Sequence, residues 1–316
     1  MNAVFLDFAT MGEGLDLAPL EAVVSELDVH DATPDDRVAE RIAGKDIVFC
    51  NKNVLDAELL RGSKVRFIGL TATGTDNVDL EFAKANGIAV ANIRAYCTAS
   101  LVEHVFGVLL MLTHSLGDYD ASVRRGEWQT ASDPFLLAHP VRELAAMTLG
   151  IVGYGELGRG TARIARAFGM EVLVAARPGS GSVPAGRTAF EEVLDRADAI
   201  SLHCPLNDAT RQLMGTAEFR RMKPTAYLIN TARGGLVDSA ALANALSKGS
   251  IAGAAVDVLP EEPPVAGDPL LDYTGTNLIV TPHIAWASGE ARQNAINELA
   301  ANAAAFQRGD QRNRVV

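Results

Sequence analysis

Three polar side chains in the second half of the chain have the types and positions needed for acid–base chemistry on a small acid. Arg233, Glu262 and His283 each follow an apolar segment of the kind that forms a buried strand. Ligands of an open α/β sheet bind beyond the carboxyl ends of its strands, so these side chains are catalytic candidates. An arginine can hold a carboxylate through two parallel hydrogen bonds, and histidine is the usual proton donor near neutral pH. A glutamate beside the imidazole would stabilise its charged form and fix its tautomer, so the three roles fit a 2-hydroxy or 2-oxo acid.

Each of these residues also has a plainer interpretation. Arg233 could cap or solvate a helix start, although the two glycines after it indicate that something approaches the backbone there. Glu261 competes with Glu262 for the role of the acidic partner. His283 could be a core histidine with satisfied hydrogen bonds, although it directly follows Pro282 at a strand end. These alternatives stay open at the level of the sequence.

A glycine-rich turn earlier in the chain predicts a dinucleotide site. Gly153, Gly155 and Gly158 directly follow the apolar residues 148–152 and open a helical pattern. In this context the first glycine allows a tight turn and the second lets backbone amides approach a pyrophosphate. The third lets the helix pack closely on the strand. The amino-terminal end of that helix then faces the anion, which predicts a bound dinucleotide.

The end of the next predicted strand, residues 171–176, indicates which dinucleotide is preferred. An acidic residue there would hydrogen-bond the ribose hydroxyls of NAD, but the strand ends in Ala176 followed by Arg177. Arg177, with Ser180 and Arg187 in the following loop, can receive a 2′-phosphate. NADP(H) is therefore the predicted cofactor. NAD(H) is the alternative if Arg177 is an ordinary solvated charge.

Apolar segments alternate with helical patterns along the whole chain. The predicted strands are residues 3–8, 46–50, 65–70, 88–93, 148–152, 171–176, 199–204, 226–230, 251–258 and 277–280. The helical patterns singled out are residues 17–27, 79–85, 100–116 and 290–306. Near-continuous apolar strands separated by helices indicate parallel sheets covered on both faces. We predict an α/β protein with two doubly wound parallel-sheet domains, residues 1–97 with 288–316 and residues 98–287.

Charge and cysteine content restrict the class of partner and the setting. The 316 residues include 28 basic and 39 acidic side chains, a net charge of −11, with no local basic cluster, which disfavours nucleic-acid binding. The longest apolar stretch, 105–112, is too short to span a bilayer, and the opening residues predict a strand rather than a signal peptide. The three cysteines lack the spacing of a zinc site or a disulfide framework. We expect a cytoplasmic protein with no metal and no membrane partner.

With these residues identified, the chain resembles the D-isomer-specific 2-hydroxyacid dehydrogenases over nearly its whole length. The segments that show the resemblance are TATGTDNVDL (71–80), GIVGYGELGRGTARIARAFGM (150–170), SLHCPLNDATRQLM (201–214), LINTARGGLVD (228–238), GAAVDVLPEEPP (253–264) and NLIVTPHIAWAS (277–288). Within the family, the HIAWAS segment, the opening FLDFAT and the pair Asn51-Lys52 are most similar to the glycerate dehydrogenase or hydroxypyruvate reductase branch, which also reduces glyoxylate. The resemblance implies a Rossmann cofactor domain inserted into a flavodoxin-like substrate domain.

The resemblance also implies roles for individual residues. Arg233 would anchor the substrate, Glu262 would pair with the histidine, His283 would be the general acid/base, and Asp257 would meet the nicotinamide carboxamide. The full set of predicted cofactor contacts is Gly153, Gly155, Glu156, Leu157, Gly158, Arg177, Ser180, His203, Cys204, Pro205, Thr210, Thr231, Ala232, Asp257, His283 and Ala285. The other predicted substrate contacts are Lys52, Thr73, Gly74 and Trp286. Backbone amides of the turn at Thr73 and Gly74 would bind the substrate carboxylate.

The segment 124–145 resembles the arm that family members exchange across a two-fold dimer. It contains Trp128, Phe135 and Leu136. By analogy, we expect a homodimer.

Together these observations predict reversible hydride transfer from NADPH to hydroxypyruvate or glyoxylate, with protonation by His283, giving D-glycerate or glycolate. One alternative is a dehydrogenase of the same fold for larger branched or aromatic 2-oxo acids, which would differ in pocket size. The other is a dinucleotide-sensing, corepressor-like binding protein, against which the complete set of Arg233, Glu262 and His283 argues.

Overall fold

The structure is a computed structural model that describes residues 1–179 and 182–316. The strands are β1 (Asn2–Phe5), β2 (Glu26–Val29), β3 (Ile47–Cys50), β4 (Phe67–Leu70), β5 (Ala89–Ala91), β6 (Thr148–Val152), β7 (Glu171–Val174), β8 (Ala199–Leu202), β9 (Tyr227–Asn230), β10 (Gly253–Val256) and β11 (Leu278–Val280). The helices are α1 (Ala18–Glu21), α2 (Asp35–Ile42), α3 (Ala57–Leu60), α4 (Leu80–Ala85), α5 (Thr98–Thr113), α6 (Leu116–Arg124), α7 (Glu156–Ala167), α8 (Phe190–Arg196), α9 (Thr216–Arg221), α10 (Ser239–Ser247) and α11 (Gly289–Arg308). They divide into two compact units, residues 1–97 with 287–316 (unit 1) and residues 98–286 (unit 2).

Unit 1 contains a five-stranded parallel sheet in the order β2-β1-β3-β4-β5. This is the flavodoxin-like order, as predicted. Strands β3 and β4 are buried along their whole length, because helices cover both faces of a doubly wound sheet. Helix α11 packs against β4, where the rings of Phe67 and Phe306 stack with centroids 4.9 Å apart.

Unit 2 contains a six-stranded parallel sheet in the order β11-β10-β9-β8-β6-β7. An isolated parallel bridge between Ala175 and Thr188 adds the beginning of a further strand beyond β7. The chain therefore runs from β6 towards one edge of the sheet and returns to β8 on the other side of β6. Ligands of such sheets bind at this reversal of strand order, which is the Rossmann arrangement predicted from the sequence.

All ten predicted strands coincide with an observed strand, but two predicted helices are wrong in part. Residues 17–27 form only the short helix α1, and strand β2 begins at Glu26. Pairing of this edge strand with β1 outweighs its weak helical pattern, since strand propensity depends on context. Residues 100–116 form two helices, because Ser115 has a positive φ of 49° between α5 and α6.

No single helix among the described residues is long and apolar enough to cross a membrane, and α5 and α6 reach that length only as a pair bent by 57°.

Candidate active site

The three strand ends that precede the predicted catalytic residues are held together by backbone hydrogen bonds. Strands β9, β10 and β11 are neighbours in the sheet. Just beyond β10, the amide of Asp257 donates to the carbonyl of Asn230 over 2.9 Å. The amide of His283 in turn donates to the carbonyl of Asp257 over 2.8 Å. The loops that contain the catalytic candidates therefore leave the sheet from one shared edge.

The first of these loops is shaped by Asn230, the fully buried last residue of β9. Its side-chain amide donates to the carbonyl of Arg233 over 2.9 Å, and its oxygen accepts from the amide of Ala232 over 3.1 Å. The asparagine thus makes a local turn that presents the residue three positions later. Arg233 is exposed, with one guanidinium N–H donating to the carbonyl of Ala232 over 2.8 Å.

Glu262 and His283 form a direct contact. Oε2 of Glu262 lies 2.6 Å from Nδ1 of His283, and both side chains are about one-third exposed. The other carboxylate oxygen of Glu262 accepts from the amide of Leu259 over 2.9 Å, which fixes the carboxylate against its own loop. Because Nδ1 faces the carboxylate, Nε2 is the ring atom left to exchange a proton with a ligand. Glu262, and not Glu261, is therefore the partner of the histidine.

Gly234 explains why the arginine loop and the glutamate loop can approach each other so closely. A Cβ on this residue would lie 1.9 Å from the carbonyl carbon of Leu259 and 2.3 Å from the nitrogen of Pro260. Only glycine leaves room for that backbone. The result is a cavity of about 160 Å³, lined by Leu206, Arg233, Gly234, Gly235, Val258, Leu259, Pro260, Glu262 and His283. The structure thus brings the three catalytic candidates to one cavity.

Asp257 is buried and organises the loop that contains His283. Its carboxylate accepts from the hydroxyl of Thr281 over 2.6 Å and from the amides of Ile284 and Ala285, each over 2.9 Å. His283 itself has a φ of +56°, a left-handed conformation that few residues other than glycine adopt. Asp257 therefore holds His283 in an unfavourable backbone conformation. Three of the roughly four acceptor positions of the carboxylate are used within the loop.

His104 of helix α5 extends this network. Its Nε2 lies 3.3 Å from the hydroxyl oxygen of Thr281 and 3.9 Å from Oδ1 of Asp257. Since the Thr281 hydroxyl donates to Asp257, the same oxygen can accept from an Nε2–H of His104. The side chains of this network connect α5 to the loop that follows β11.

The glycine turn after β6 has the geometry that a bound pyrophosphate requires. Gly153 has a φ of +94°, and a Cβ there would lie 2.5 Å from the backbone nitrogen of Cys204. A Cβ on Gly158 would lie 2.1 Å from the carbonyl oxygen of Gly153, so the start of α7 packs tightly on the turn. Around Gly155, in contrast, nothing lies within 4 Å of the Cβ position. This open space beside the amino terminus of a twelve-residue helix fits a dinucleotide phosphate.

The residues predicted to select the nucleotide lie after β7. Ala176 is buried, and its amide donates to the carbonyl of Thr188 over 2.7 Å, so no acidic side chain occupies this strand end. Arg177 is exposed, while Ser180 lies outside the described residues. The guanidinium of Arg187 lies 5.0 Å from the centroid of the Tyr154 ring in the glycine turn.

The loop after β8 contains four further predicted cofactor contacts. The amide of His203 donates to the carbonyl of Val152 over 2.7 Å, and burial lowers the pKa of His203 to about 4, so its ring is neutral at physiological pH. Burial also raises the pKa of the Cys204 thiol. Pro205 is exposed, and its carbonyl accepts from the hydroxyl of Thr210 over 2.7 Å. Thr210 therefore braces this loop with its side chain.

The remaining predicted cofactor contacts lie at strand ends or at the start of α7. Thr231, directly after β9, has a buried hydroxyl oxygen with no hydrogen-bond partner among the described residues. Such a group is costly to leave unpaired, so it fits a ligand that supplies the missing bond. The amides of Ala232 and Ala285 are already bonded to side-chain oxygens of the chain. Glu156 accepts from the Thr98 hydroxyl, and Leu157 is half-buried.

In unit 1 the predicted substrate contacts Lys52, Thr73 and Gly74 lie at the carboxyl edge of the parallel sheet. Lys52 follows β3 and Thr73 follows β4, and both are exposed. The carbonyl of Thr73 accepts from the side-chain amide of Asn92 over 2.7 Å, which anchors this turn. Trp286, the last predicted substrate contact, is half-buried in unit 2.

Sequence reasoning missed the polar residues that position the catalytic candidates. Asn230, Thr281 and His104 have polar side chains next to apolar segments, and Asn230 is the one polar residue in β9 that is fully buried. A polar residue at the end of an otherwise apolar strand is the signal that could have found Asn230.

Within the described part of the chain, no group of three or more His, Cys, Asp or Glu side chains could hold a metal ion.

Comparison with known proteins places the chain in a family. It matches the family model for the NAD binding domain of D-isomer specific 2-hydroxyacid dehydrogenases over residues 106–285. It is 43% identical over 283 residues to a glycerate dehydrogenase of Methylorubrum extorquens, covering 89% of this chain and 88% of that protein. It is 35% identical over 317 residues to a hydroxypyruvate reductase of Blautia hydrogenotrophica, covering 98% of each.

A solved structure of an acyclic imino acid reductase in complex with NADPH and D-Arg is similar to the whole chain, with a TM-score of 0.85, 27% identity and 100% of both chains covered. The parallel sheets, the glycine turn and the residues at the strand ends agree with these relationships. The chain therefore belongs to the D-isomer specific 2-hydroxyacid dehydrogenase family, whose members are oxidoreductases that use a nicotinamide dinucleotide, as its motifs predicted.

Proposed function

We propose that this protein reduces hydroxypyruvate or glyoxylate to the corresponding 2-hydroxy acid, D-glycerate or glycolate, with NADPH as the preferred reductant. The observation that supports it most is the 2.6 Å contact between Glu262 and His283 beside Arg233 in one cavity. The relatives named glycerate dehydrogenase and hydroxypyruvate reductase support the choice of a small 2-oxo acid. The reaction is reversible, since the same groups serve both directions.

The roles follow from the positions of the side chains. The exposed guanidinium of Arg233 holds the substrate carboxylate and polarises the neighbouring carbonyl. NADPH, when bound at the glycine turn after β6, would supply the hydride that the carbonyl carbon accepts. His283 gives the proton at Nε2 to the carbonyl oxygen, which completes the alcohol, while Glu262 holds the opposite ring nitrogen. One hydride and one proton are consumed for each molecule of acid reduced.

Steady-state rates of NADPH oxidation with glyoxylate, hydroxypyruvate, pyruvate and a branched 2-oxo acid test the substrate class. We expect the highest kcat/KM with glyoxylate or hydroxypyruvate. The variant His283→Ala should lose about 10²–10⁴-fold in kcat and still bind NADPH. A matched control is His30→Ala, on a histidine of unit 1 outside the site, which should keep full activity. Unchanged turnover in His283→Ala would contradict the proposal. No turnover of the native protein with any of the four acids would also contradict it and would favour a binding protein.

The preference for NADPH rests on the end of β7. A buried alanine stands where an acid would select NAD, and Arg177 and Arg187 follow it. Arg187 is ordered there because it precedes Thr188, which pairs with Ala175, and because its guanidinium lies over Tyr154. Two guanidinium groups suit the 2′-phosphate, since arginine binds phosphate through charge-assisted bonds.

Fluorescence titration of NADPH and NADH tests this preference without turnover. We expect Arg177→Ala to weaken NADPH binding about 10-fold or more while the Kd for NADH changes less than twofold, because a hydrogen bond to a charged group contributes about 1.5–3 kcal/mol. The control Arg166→Ala removes an exposed arginine from the last turn of α7. Equal changes for both nucleotides would contradict the assignment.

We also propose a homodimer formed through the arm 124–145. The arm exposes large apolar side chains, with relative exposures of 53% for Trp128, 73% for Phe135 and 87% for Leu137. Leu136, singled out in the sequence, is half-buried. Clusters of exposed apolar residues mark interaction sites. Light scattering should show a dimer for the native chain and a monomer for Phe135→Ser with Leu137→Ser, and a native monomer would refute it.

A further inference from the structure

Helix α5 has two polar side chains that contact residues 281–285, all within unit 2. The hydroxyl of Ser100 donates to the carbonyl of Ala285 over 2.8 Å. Nε2 of His104 lies 3.3 Å from the hydroxyl oxygen of Thr281. Because Ser100 and His104 are four residues apart, they lie about one turn apart on the same face of the helix. This face therefore holds both ends of the segment.

The position of α5 is fixed by its packing in the core of unit 2. Leu101 and Val105 are buried and belong to the same apolar cluster as Ala285. The helix also packs closely on α7, since a Cβ on Gly160 would lie 3.1 Å from a methyl of Val102. A close-packed interior of this kind has low compressibility. Helix α5 can therefore serve as a fixed support for the loop after β11.

The loop needs such a support at His283. This residue has a φ of +56°, and a left-handed conformation outside glycine persists only where the surrounding structure over-determines it. Directly after β10, Asp257 accepts hydrogen bonds from the amides of Ile284 and Ala285. From α5, Ser100 donates to the carbonyl of Ala285. Ala285 is therefore held through both its amide and its carbonyl, by two separate elements.

The contact between His104 and Thr281 has a defined direction. The threonine hydroxyl has one hydrogen, which it donates to the carboxylate of Asp257 over 2.6 Å. Its oxygen can then only accept from His104, so Nε2 of the imidazole carries a hydrogen in this contact. The side chain of His104 is 16% exposed, which limits replacement of this donor by water. The loop therefore depends on a donor group at position 104, and not on bulk alone.

We propose that Ser100 and His104 are positioning residues for the proton step: from one face of α5 they hold both ends of the segment 281–285 and so set the position of the His283 ring. The proposal rests on the proposed function, in which His283 gives the proton to the carbonyl oxygen. In this role neither side chain needs to touch the substrate. Their effect reaches His283 through the backbone of its loop, so we expect it in kcat and not in the KM for the acid.

Kinetics of full-length variants with glyoxylate at saturating NADPH test this. We expect His104→Leu and Ser100→Ala each to lower kcat about fivefold, the worth of one hydrogen bond, with KM changed less than about twofold. His104→Gln should keep kcat within about twofold of the native value, because its side-chain amide supplies an N–H donor in place of Nε2. A role in packing alone would not distinguish the two substitutions of His104 in this way.

A double-mutant cycle with Thr281→Val tests the route of the effect. Since His104 acts through the hydroxyl of Thr281, adding His104→Leu to Thr281→Val should change kcat less than about twofold. A matched control is His114→Leu, on the residue directly after the end of α5. An α-helix rises about 1.5 Å per residue, so His114 lies about 15 Å from His104 along the helix axis. This control should leave kcat unchanged.

The outcomes separate this inference from the proposed function. If the native enzyme reduces glyoxylate but either His104→Leu or Ser100→Ala keeps its full kcat, the inference is wrong and the proposed reaction stands. Equal losses in His104→Gln and His104→Leu would also overturn it, as would a loss from His104→Leu that persists in the Thr281→Val background. If His104→Leu does not fold, His104→Asn replaces it under the same criteria, since its shorter side chain withdraws the donor from Thr281. No reduction of any acid by the native protein would refute the proposed function, and this inference would fall with it.

Discussion

Replacing Gly234 with alanine should impair catalysis through backbone displacement alone, since the change adds one methyl group and removes no functional atom. The new Cβ would lie 1.9 Å from the carbonyl carbon of Leu259, 2.2 Å from its oxygen and 2.3 Å from the nitrogen of Pro260. All three are backbone atoms, so no side-chain rotation relieves the overlap. The two loops must separate by about 1.1 Å, the difference between 1.9 Å and the 3.0 Å below which real Cβ contacts are essentially absent.

That displacement is transmitted directly to Glu262 and His283, the proposed catalytic pair. The amide of Leu259 donates to Oε1 of Glu262, and Oε2 of the same carboxylate contacts His283. A misplacement of about 1 Å in a catalytic group costs about 100-fold in rate, which corresponds to about 2.7 kcal/mol of transition-state stabilisation. Overpacking should also destabilise the protein by about 1–3 kcal/mol. We therefore expect kcat/KM for glyoxylate to fall about 100-fold.

The adjacent glycine is a matched control. A Cβ on Gly235 would lie 2.9 Å from a terminal methyl of Leu206, a flexible side-chain end that can move aside. Because almost no backbone displacement is needed, Gly235→Ala should lose less than fivefold in kcat/KM. Kinetics with glyoxylate and fluorescence titration with NADPH on both variants separate loss of chemistry from loss of fold. Activity of Gly234→Ala within threefold of the native enzyme would refute this account of the loops.

Two further predictions concern the network around the histidine and the pH dependence of stability. Thr281→Val removes the hydroxyl that donates to Asp257 and should lower kcat about 10-fold, because the left-handed turn at His283 loses a bond to a charged group. The control Thr161→Val removes a buried hydroxyl of α7 and should leave kcat unchanged. Equal losses of kcat in the two variants would contradict this prediction. Burial lowers the pKa of His203 to about 4, so the unfolded chain binds the extra proton between about pH 6.5 and 4, and stability falls as the pH falls through that window. Between pH 7 and pH 5 the titration of His203 should lower the free energy of unfolding by about 2 kcal/mol, so the loss measured by urea denaturation should be smaller by that amount in His203→Gln. An equal loss in both proteins would be inconsistent with a neutral ring.

The sheets and the glycine turn could be predicted because their signals are local. A fully apolar run such as residues 47–50 has no solvated face, so a buried parallel strand is the natural result. The spacing of Gly153, Gly155 and Gly158 likewise includes a local requirement, since a Cβ on Gly158 would meet the carbonyl oxygen of Gly153 in the same turn. Strand β2 could not be predicted in this way, because two of its four residues, Glu26 and Asp28, are charged and it is a strand only through pairing with β1.

The catalytic candidates could be named from their residue types and positions in the sequence, but the residues that hold them in place could not. Arg233, Glu262 and His283 stand at strand ends where polar residues are conspicuous in the sequence. Gly234 and Gly235, which both follow β9, have the same local context in the sequence. Only the structure shows that a Cβ on Gly234 would meet the backbone of Leu259, whereas one on Gly235 would meet a side chain. Sequence spacing has no information on which of two neighbouring residues faces another loop.

Asp257 shows most clearly how position in the fold changes an interpretation. The resemblance implies a contact between this residue and the nicotinamide carboxamide, and its carboxylate has about one acceptor position left for such a contact. The other three hold the loop of His283, whose amide also bonds the carbonyl of Asp257. A single residue thus ties β10 to the turn of His283, and a ligand that took the last acceptor position would contact the same carboxylate that fixes this turn. A cofactor contact at Asp257 would therefore be coupled through this carboxylate to the backbone conformation of His283.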